Sequence, residues 1–291
     1  MPDTAAAHFA TLDQATRDQW YCIGNMADIP TGDSANRLLG VDLRQTRAGD
    51  SVTVAATDGS LTARVKQAYG YLWVSLGNPA GDVPLIEEAL ESDRRYVACG
   101  AIHVKASGLR IVENFLDMAH FPFVHTDILG SEPHTEVAHY GCEIRRDVDE
   151  VWATDCIFTQ PKAALSAEGA IETKYIYRIT TPFTVLLYKT CPNSDTRWDA
   201  ICLFVQPLDP DRCVAHPVMF LIDDISREAD LVGFQQVIFL QDRIILENQR
   251  PVLLPLEPRM ETPTRADASS VAYRRWLKEK GLTYGAQVRA A

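Results

Sequence analysis

Residues 113–125 read ENFLDMAHFPFVH, two histidines, an aspartate and an asparagine within thirteen positions, with a proline between the histidines. Ile111, Phe115 and Met118 recur at i, i+4 and i+7, which predicts the core-facing stripe of a helix over 109–121. Asn114, Asp117 and His120 recur at i, i+3 and i+6 and form a polar stripe beside it. Pro122 has no N–H to give and clashes with the preceding turn, so the helix is expected to stop or kink there. On a straight helix two side chains five positions apart point about 140° apart. His120 and His125 can therefore share a metal only across a break. The plain alternative is two unrelated histidines at a helix end. The chain contains its own control. His134 and His139 have the same spacing in HTEVAH but lack the asparagine and aspartate stripe, and are not expected to be ligands. CVAH at 213–216 stands alone in a strand-like segment and reads as core with a surface histidine.

The rest of the chain sets the frame. Its 291 residues suffice for one large domain or two ordinary ones, and 46% hydrophobic against 23% charged residues is a globular composition. A net charge of -11 argues against nucleic-acid or anionic-membrane partners, which would repel it. The first twenty residues lack a basic segment followed by an apolar one, so no signal peptide is expected. No apolar run approaches the roughly 20 residues that span a bilayer. Seven scattered cysteines then read as reduced thiols in a cytoplasm.

Between residues 35 and 77 the segments LLGVDLRQT, SVTVAA, LTARVKQ and GYLWVSLG predict short strands. Turn signals at Ala48-Gly49-Asp50 and Asp58-Gly59-Ser60 separate them. Strands are then expected around 97–106, 136–147, 150–159, 172–180, 183–190, 199–206 and 213–222, with helices over 226–249 and 267–280. The pattern predicts an α+β fold, with helices packed on one face of an antiparallel sheet.

A third ligand must come from elsewhere, and VGFQQVIFLQDRIILENQRP supplies candidates. Ser226 is expected to cap this helix, with Glu228 and Asp230 complementing its dipole. Asp242 lies between Ile238 and Ile245 on an apolar face, where an unpaired carboxylate is expensive and a metal would remove the cost. An ion pair with Arg243 or Arg250, or simple exposure, would do the same. Glu247 is the competing carboxylate, on a wetter face. Two imidazoles and one carboxylate suit iron with open positions for O2 and substrate, and they also suit zinc. Phe158, Phe183, Leu187, Phe204, Phe220 and Phe234 are available to line a flat apolar pocket. Gln235, Gln241 and Asn248 offer amides for a heterocycle edge, and none is assigned a contact.

ENFLDMAHFPFVH resembles the N-x-x-D-x-x-H-x4-H signature of the catalytic domain of Rieske-type non-haem iron oxygenases. FLQDRIILENQRP is similar to that family's segment bearing the aspartate ligand, and DASSVAYRRWL at 267–277 resembles the closing helix of its monooxygenase branch. WYCIGNMADIP and AYGYLWVSLGNP resemble strands framing its N-terminal Rieske domain. The resemblance implies a helix-grip catalytic domain over 101–291, preceded at 1–100 by a small β domain. It implies that His120, His125 and Asp242 bind a mononuclear Fe(II), with O2 as co-substrate. Asp117 would bridge incoming electrons to the iron, and Asn114 would lie close by.

The chain departs from the family in one respect. A Rieske [2Fe-2S] cluster needs C-x-H and, further on, C-x-x-H. Before residue 100 there are only Cys22, Cys99 and His8, and the expected insertion point holds only the turn TDGS at 57–60. The β domain thus reads as a remnant without its cluster. Electrons would come from a Rieske-bearing flavin and iron–sulfur reductase docking near Asp117, whose carboxylate can accept a hydrogen bond from a cluster histidine. Such a division of labour resembles the bacterial methylxanthine N-demethylases. It implies hydroxylation of an N-methyl carbon, loss of formaldehyde, and 7-methylxanthine as the candidate substrate. The alternatives are O-demethylation or ring hydroxylation of another small aromatic, a non-catalytic structural subunit, or a helix-grip binding protein. A homo-oligomer or an additional structural subunit is compatible with each.

Overall fold

The computed structural model describes residues 4–162, 164–165 and 169–288. Helices α1 (Ala5–Ala10) and α2 (Gln14–Arg17) lead into strands β1 (Tyr21–Asn25), β2 (Gly32–Leu38), β3 (Val41–Ala48), β4 (Ser51–Ala56), β5 (Arg64–Ala68) and β6 (Tyr71–Ser75). They pair as two three-stranded antiparallel sheets, β1-β6-β5 and β2-β3-β4. Gly49 and Gly59 take positive φ, 61° and 73°, in the two turns expected from the sequence. LLGVDLRQT is not one strand. Leu39 and Gly40 both adopt positive φ and join β2 to β3 in a two-residue hairpin turn. Leucine tolerates that conformation poorly, and here tertiary structure holds it. Leu39 is fully buried, and the N–H groups of Leu39 and Gly40 donate to the carbonyls of Pro207 and Leu208, each at 2.8 Å.

Those two carbonyls belong to an interior strand of a larger sheet. Strands β7 (Arg95–Ala98), β8 (Ile102–Val104), β9 (Gly141–Arg145), β10 (Glu150–Gln160), β11 (Ile171–Thr181), β12 (Thr184–Cys191), β13 (Ser194–Asp209) and β14 (Arg212–Leu221) form it. The order is β7-β14-β13-β12-β11-β10-β9, antiparallel throughout, with β8 also paired to β14. The single strand expected over 97–106 is interrupted, because Gly100 at φ 85° turns the chain between β7 and β8. The one expected over 136–147 contracts to β9.

Helices α3 (Gly108–Leu116), α4 (Phe121–Val124), α5 (Glu228–Asn248) and α6 (Ala268–Glu279) complete the fold. Cross-strand partners share a face. The row Val97, Met219, Ile201, Leu187, Tyr177 and Ala153 lies in one core with Leu109, Val112 and Leu116 of α3, Leu231 and Phe239 of α5, and Tyr273 and Trp276 of α6. The opposite face, with Leu186, Cys202, Val218, Phe204 and Phe220, is covered by Trp20, Cys22, Tyr71 and Trp73 of the small sheet β1-β6-β5. Each fully buried large side chain contributes about 1.5–3 kcal/mol of transfer free energy, so both faces of the sheet are committed. The chain is α+β with a helix-grip arrangement: one sheet, the helices on one side of it. All seven cysteines are free, six of them buried. Among the described residues no helix is long and apolar enough to cross a membrane.

Ser226 does not cap α5. Arg227 occupies the cap position without a side-chain capping bond, and the Ser226 hydroxyl and N–H both donate to Asp223, at 2.7 and 2.8 Å. Glu228 and Asp230 do stand in the first turn, where negative charge complements the helix dipole.

Candidate metal centre

Helix α3 is anchored at both ends. At its start the Ser107 hydroxyl accepts from the Leu109 N–H at 3.2 Å and donates to the Gly285 carbonyl at 2.7 Å. Further along, the buried Arg110 donates to Glu113, Glu261 and the Pro251 carbonyl, and Arg274 of α6 closes the network on Glu113 and Glu261. The helix ends at Leu116, before the proline expected to break it. Asp117 takes extended backbone (φ -86°, ψ 121°), and its Oδ1 accepts the Ala119 N–H at 2.7 Å. This local side-chain bond competes with the helical one and ends the helix. Pro122 sits in the first turn of α4, where its missing N–H costs nothing. The break lies at Asp117–Ala119, and Pro122 starts the next turn.

His120 precedes that single turn and His125 follows it. The Val124 N–H donates to the His120 carbonyl at 2.8 Å and the His125 N–H to the Phe121 carbonyl at 3.0 Å. The two imidazoles face each other, with Nε2 atoms 3.1 Å apart. Asp242, from the middle of α5, places Oδ1 3.0 Å from His125 Nε2 and 3.3 Å from His120 Nε2. One ligand atom from each of the three residues falls within a 4.8 Å cluster.

The remaining nitrogens fix the protonation pattern. His120 Nδ1 lies 3.2 Å from Asp117 Oδ2, and His125 Nδ1 lies 2.8 Å from Gln241 Oε1. Both oxygens are acceptors, so in the neutral rings both Nδ1 atoms carry the proton. Both Nε2 lone pairs then point at each other and at a carboxylate oxygen. Three lone pairs converging at about 3 Å repel unless a proton or a metal cation sits among them. Ligands roughly 2.1 Å from an ion and at right angles stand about 3.0 Å apart, so the separations suit one face of a six-coordinate ion. The same convergence governs the proton equilibria. Burial lowers the proton affinity of His120, but hydrogen bonds to Asp117 and Asp242 outweigh it and hold its pKa up to about 9. Burial would raise the Asp242 carboxyl, yet the two imidazoles hold it below the ordinary carboxylate value.

Asp242 takes neither of the arginine partners the sequence left open. Arg243 pairs with Glu247 at 2.9 Å, and Arg250 donates to the carbonyls of Glu247 and Gln249. Glu247 also accepts the Lys105 N–H at 3.1 Å, so that carboxylate is engaged elsewhere. The apolar flank is partial, since Ile245 is 50% exposed. Asn114 Nδ2 approaches Asp242 Oδ1 at 3.5 Å, a long contact that joins the polar stripe of α3 to the cluster. Asp117 keeps 28% of its side chain exposed, so it touches both the surface and His120. His134 and His139 are both exposed.

Four side chains differ from their sequence reading. His216 is not at the surface: it is 2% exposed, lies 3.1 Å from Gln206 Oε1 and packs edge-on against Tyr71. Phe204 and Phe220 lie on the sheet face away from the helices and cannot line a pocket beside the cluster. Gln241, read as one of several amides for a heterocycle edge, orients His125 instead. Its only sequence signal is that it directly precedes Asp242 on α5.

Residues 104–282 match the model of the vanillate O-demethylase oxygenase C-terminal domain family. A probable methylxanthine N7-demethylase, NdmC, of Pseudomonas sp. (strain TJI-51) is 49% identical over 269 residues, covering 92% of this chain and 95% of that protein. The methylxanthine N3-demethylase NdmB of Pseudomonas putida is 24% identical over 240 residues, 80% of this chain and 63% of its own length. Among solved structures, NdmA of Pseudomonas putida CBB5 with caffeine superposes with a TM-score of 0.75 over 92% of both chains at 17% identity. It shares the fold, the N-terminal β region included. The chain belongs to the vanillate O-demethylase oxygenase C-terminal domain family and is a Rieske-type non-haem iron oxygenase.

Proposed function

We propose that this chain is the catalytic subunit of an N-demethylase acting on an N-methylxanthine, with 7-methylxanthine as its substrate, and that His120, His125 and Asp242 hold its ferrous ion. The observation that carries the reading is the convergence of the two Nε2 lone pairs and Asp242 Oδ1 within 3.0–3.3 Å, with Asp117 bonded to His120 from the surface side. The substrate class is taken from the relatives named above, of which the N7-demethylase shares half of the aligned residues.

Iron bound there would supply activation of O2 for insertion of one oxygen atom into a C–H bond. The chain's residues do the rest. Asp117 and Gln241 keep both imidazoles in the tautomer that leaves Nε2 free. Asn114 steadies Asp242. Phe121 packs edge-on against His120, centroids 5.1 Å apart, and against Phe158 at 5.4 Å, placing apolar walls beside the cluster that exclude water. The N-methyl group becomes N-hydroxymethyl, which loses formaldehyde to leave N–H. In sum, N–CH3, O2, NADH and a proton give N–H, formaldehyde, NAD+ and water.

Two electrons are needed per turnover. C-x-H occurs nowhere in the sequence, so the one C-x-x-H, CVAH at 213–216, has no partner motif for a Rieske site. The donor is therefore a Rieske cluster on a separate reductase docking at Asp117, whose partly exposed carboxylate can accept a bond from a cluster histidine. In this reading residues 1–100 are the Rieske-like β unit and 101–291 the catalytic unit. The iron-loaded chain with 7-methylxanthine, O2 and NADH is expected to be inactive alone and to release formaldehyde equimolar with demethylated product once a Rieske-bearing reductase is added. Equal turnover with a flavin reductase lacking such a cluster would refute the electron route. Turnover of a methoxybenzoate in place of any methylxanthine would refute the substrate.

A further inference from the structure

The helix-facing side of the large sheet carries polar atoms that the fold leaves unused. Gln160, Thr173 and Tyr175 are 2%, 1% and 1% exposed; Gln160 Oε1 has no protein hydrogen-bond partner, and the Thr173 and Tyr175 hydroxyls meet only each other. Their positions are linked by register. Thr173 stands opposite Phe158 and Tyr175 opposite Cys156 in the β10–β11 pair, and Gln160 and Phe158 are two apart on β10. All three side chains therefore lie on the face that holds Phe158. An unmet buried amide oxygen is costly, and it stands beside two hydroxyls that retain bonding capacity.

Their place relative to the metal cluster is also fixed. The Phe121 ring contacts Phe158 at 5.4 Å and Tyr175 at 6.4 Å, and the same ring lies 5.1 Å from His120 and 6.2 Å from His125. The Phe121 ring thus stands between the imidazoles and the polar group, touching both His120 and Tyr175.

We propose that Gln160, Thr173 and Tyr175 form the recess that recognises the pyrimidinedione edge of the substrate and selects substrates whose ring nitrogens there are unmethylated. This assignment rests on the N-demethylase reading. A carboxamide, whichever way it is turned, presents one donor beside one acceptor, the complement of a ring N–H beside a ring carbonyl. The two hydroxyls can each donate to a carbonyl or accept from a second N–H. 7-Methylxanthine has two such N–H groups. 1,3,7-Trimethylxanthine has none, and its methyl groups would leave the recess acceptors facing carbon. A site built to bond an N–H rejects the analogue lacking it much more strongly than an apolar pocket rejects an extra methyl.

The test is binding of 7-methylxanthine and of 1,3,7-trimethylxanthine to the iron-loaded chain, measured anaerobically by calorimetry, for wild type and for Thr173→Val, Tyr175→Phe and Gln160→Leu. Each variant keeps the shape of the residue and removes polar atoms. Wild type is expected to prefer 7-methylxanthine. Each variant is expected to lose about tenfold in affinity for it and to keep its affinity for the trimethylated compound, which also reports that the variant is folded. Unchanged discrimination in all three variants would overturn the assignment and leave the N-demethylase reading intact. Failure of wild type to bind any methylxanthine would overturn both.

Discussion

Gln241 accepts a hydrogen bond from Nδ1 of His125 at 2.8 Å, from the position on α5 directly before Asp242. One turn of one helix thus supplies a candidate ligand and the group that aims another. Removing such a partner usually costs 10–100-fold in metal affinity. Gln241→Leu is expected to weaken iron binding by about that factor, measured by competition with a chelator. Affinity equal to wild type would mean that the bond does not orient the ring.

Asp117 holds His120 through its Oδ2, and in the proposed reading it also meets the electron donor. Asp117→Ala is expected to retain iron, with a loss of up to about tenfold in affinity for the missing bond, and to lose turnover with the Rieske-bearing reductase. Metal analysis and steady-state assay of the same preparation check both halves. Normal turnover would show that electrons do not enter through Asp117.

The anchoring of α3 can be tested apart from chemistry. Arg110 is 1% exposed and joins Glu113, Glu261 and the Pro251 carbonyl. Taking one partner from a buried ionic network leaves the others uncompensated. Arg110→Met is expected to lower unfolding free energy by about 3 kcal/mol, read from urea denaturation. A loss below about 1 kcal/mol would place the weight on Arg274 instead.

His216 makes stability depend on pH. Burial is the main cause that lowers its pKa to about 4, and the charge of His103 adds to it. Between about pH 6.5, its unfolded value, and pH 4 the unfolded chain binds a proton that the folded chain refuses. Stability from this group is therefore full above the upper limit and falls as pH drops through the window, by about 3 kcal/mol in all. His216→Gln is expected to flatten that part of the stability–pH curve. An unaltered slope would assign the effect to carboxylates.

Much of the fold and site was legible because spacing encodes geometry. Alternation located β10 to β14 within a few residues, whereas Asn114, Asp117 and His120 reach the cluster without forming one helical stripe, because α3 ends at Leu116. What escaped was decided by tertiary bonds. Leu39 sits at positive φ because Pro207 and Leu208, far along the chain, accept the N–H groups of the turn. The end of α3 was misplaced because an aspartate side chain bonding two residues ahead ended the helix before the proline did. His216 looked like a surface residue because the burial of a lone histidine depends on which strands flank it. Gln241 had no pattern at all, since its partner is 116 positions away.

The central claim is that a single ferrous ion is held by His120, His125 and Asp242 in a chain that carries no cluster of its own. Iron and acid-labile sulfide, measured after anaerobic reconstitution of wild type and Asp242→Ala, test it most directly. The account requires about one iron per chain and no sulfide in wild type, with iron lost from the variant. No iron in wild type, or full iron in Asp242→Ala, would contradict it.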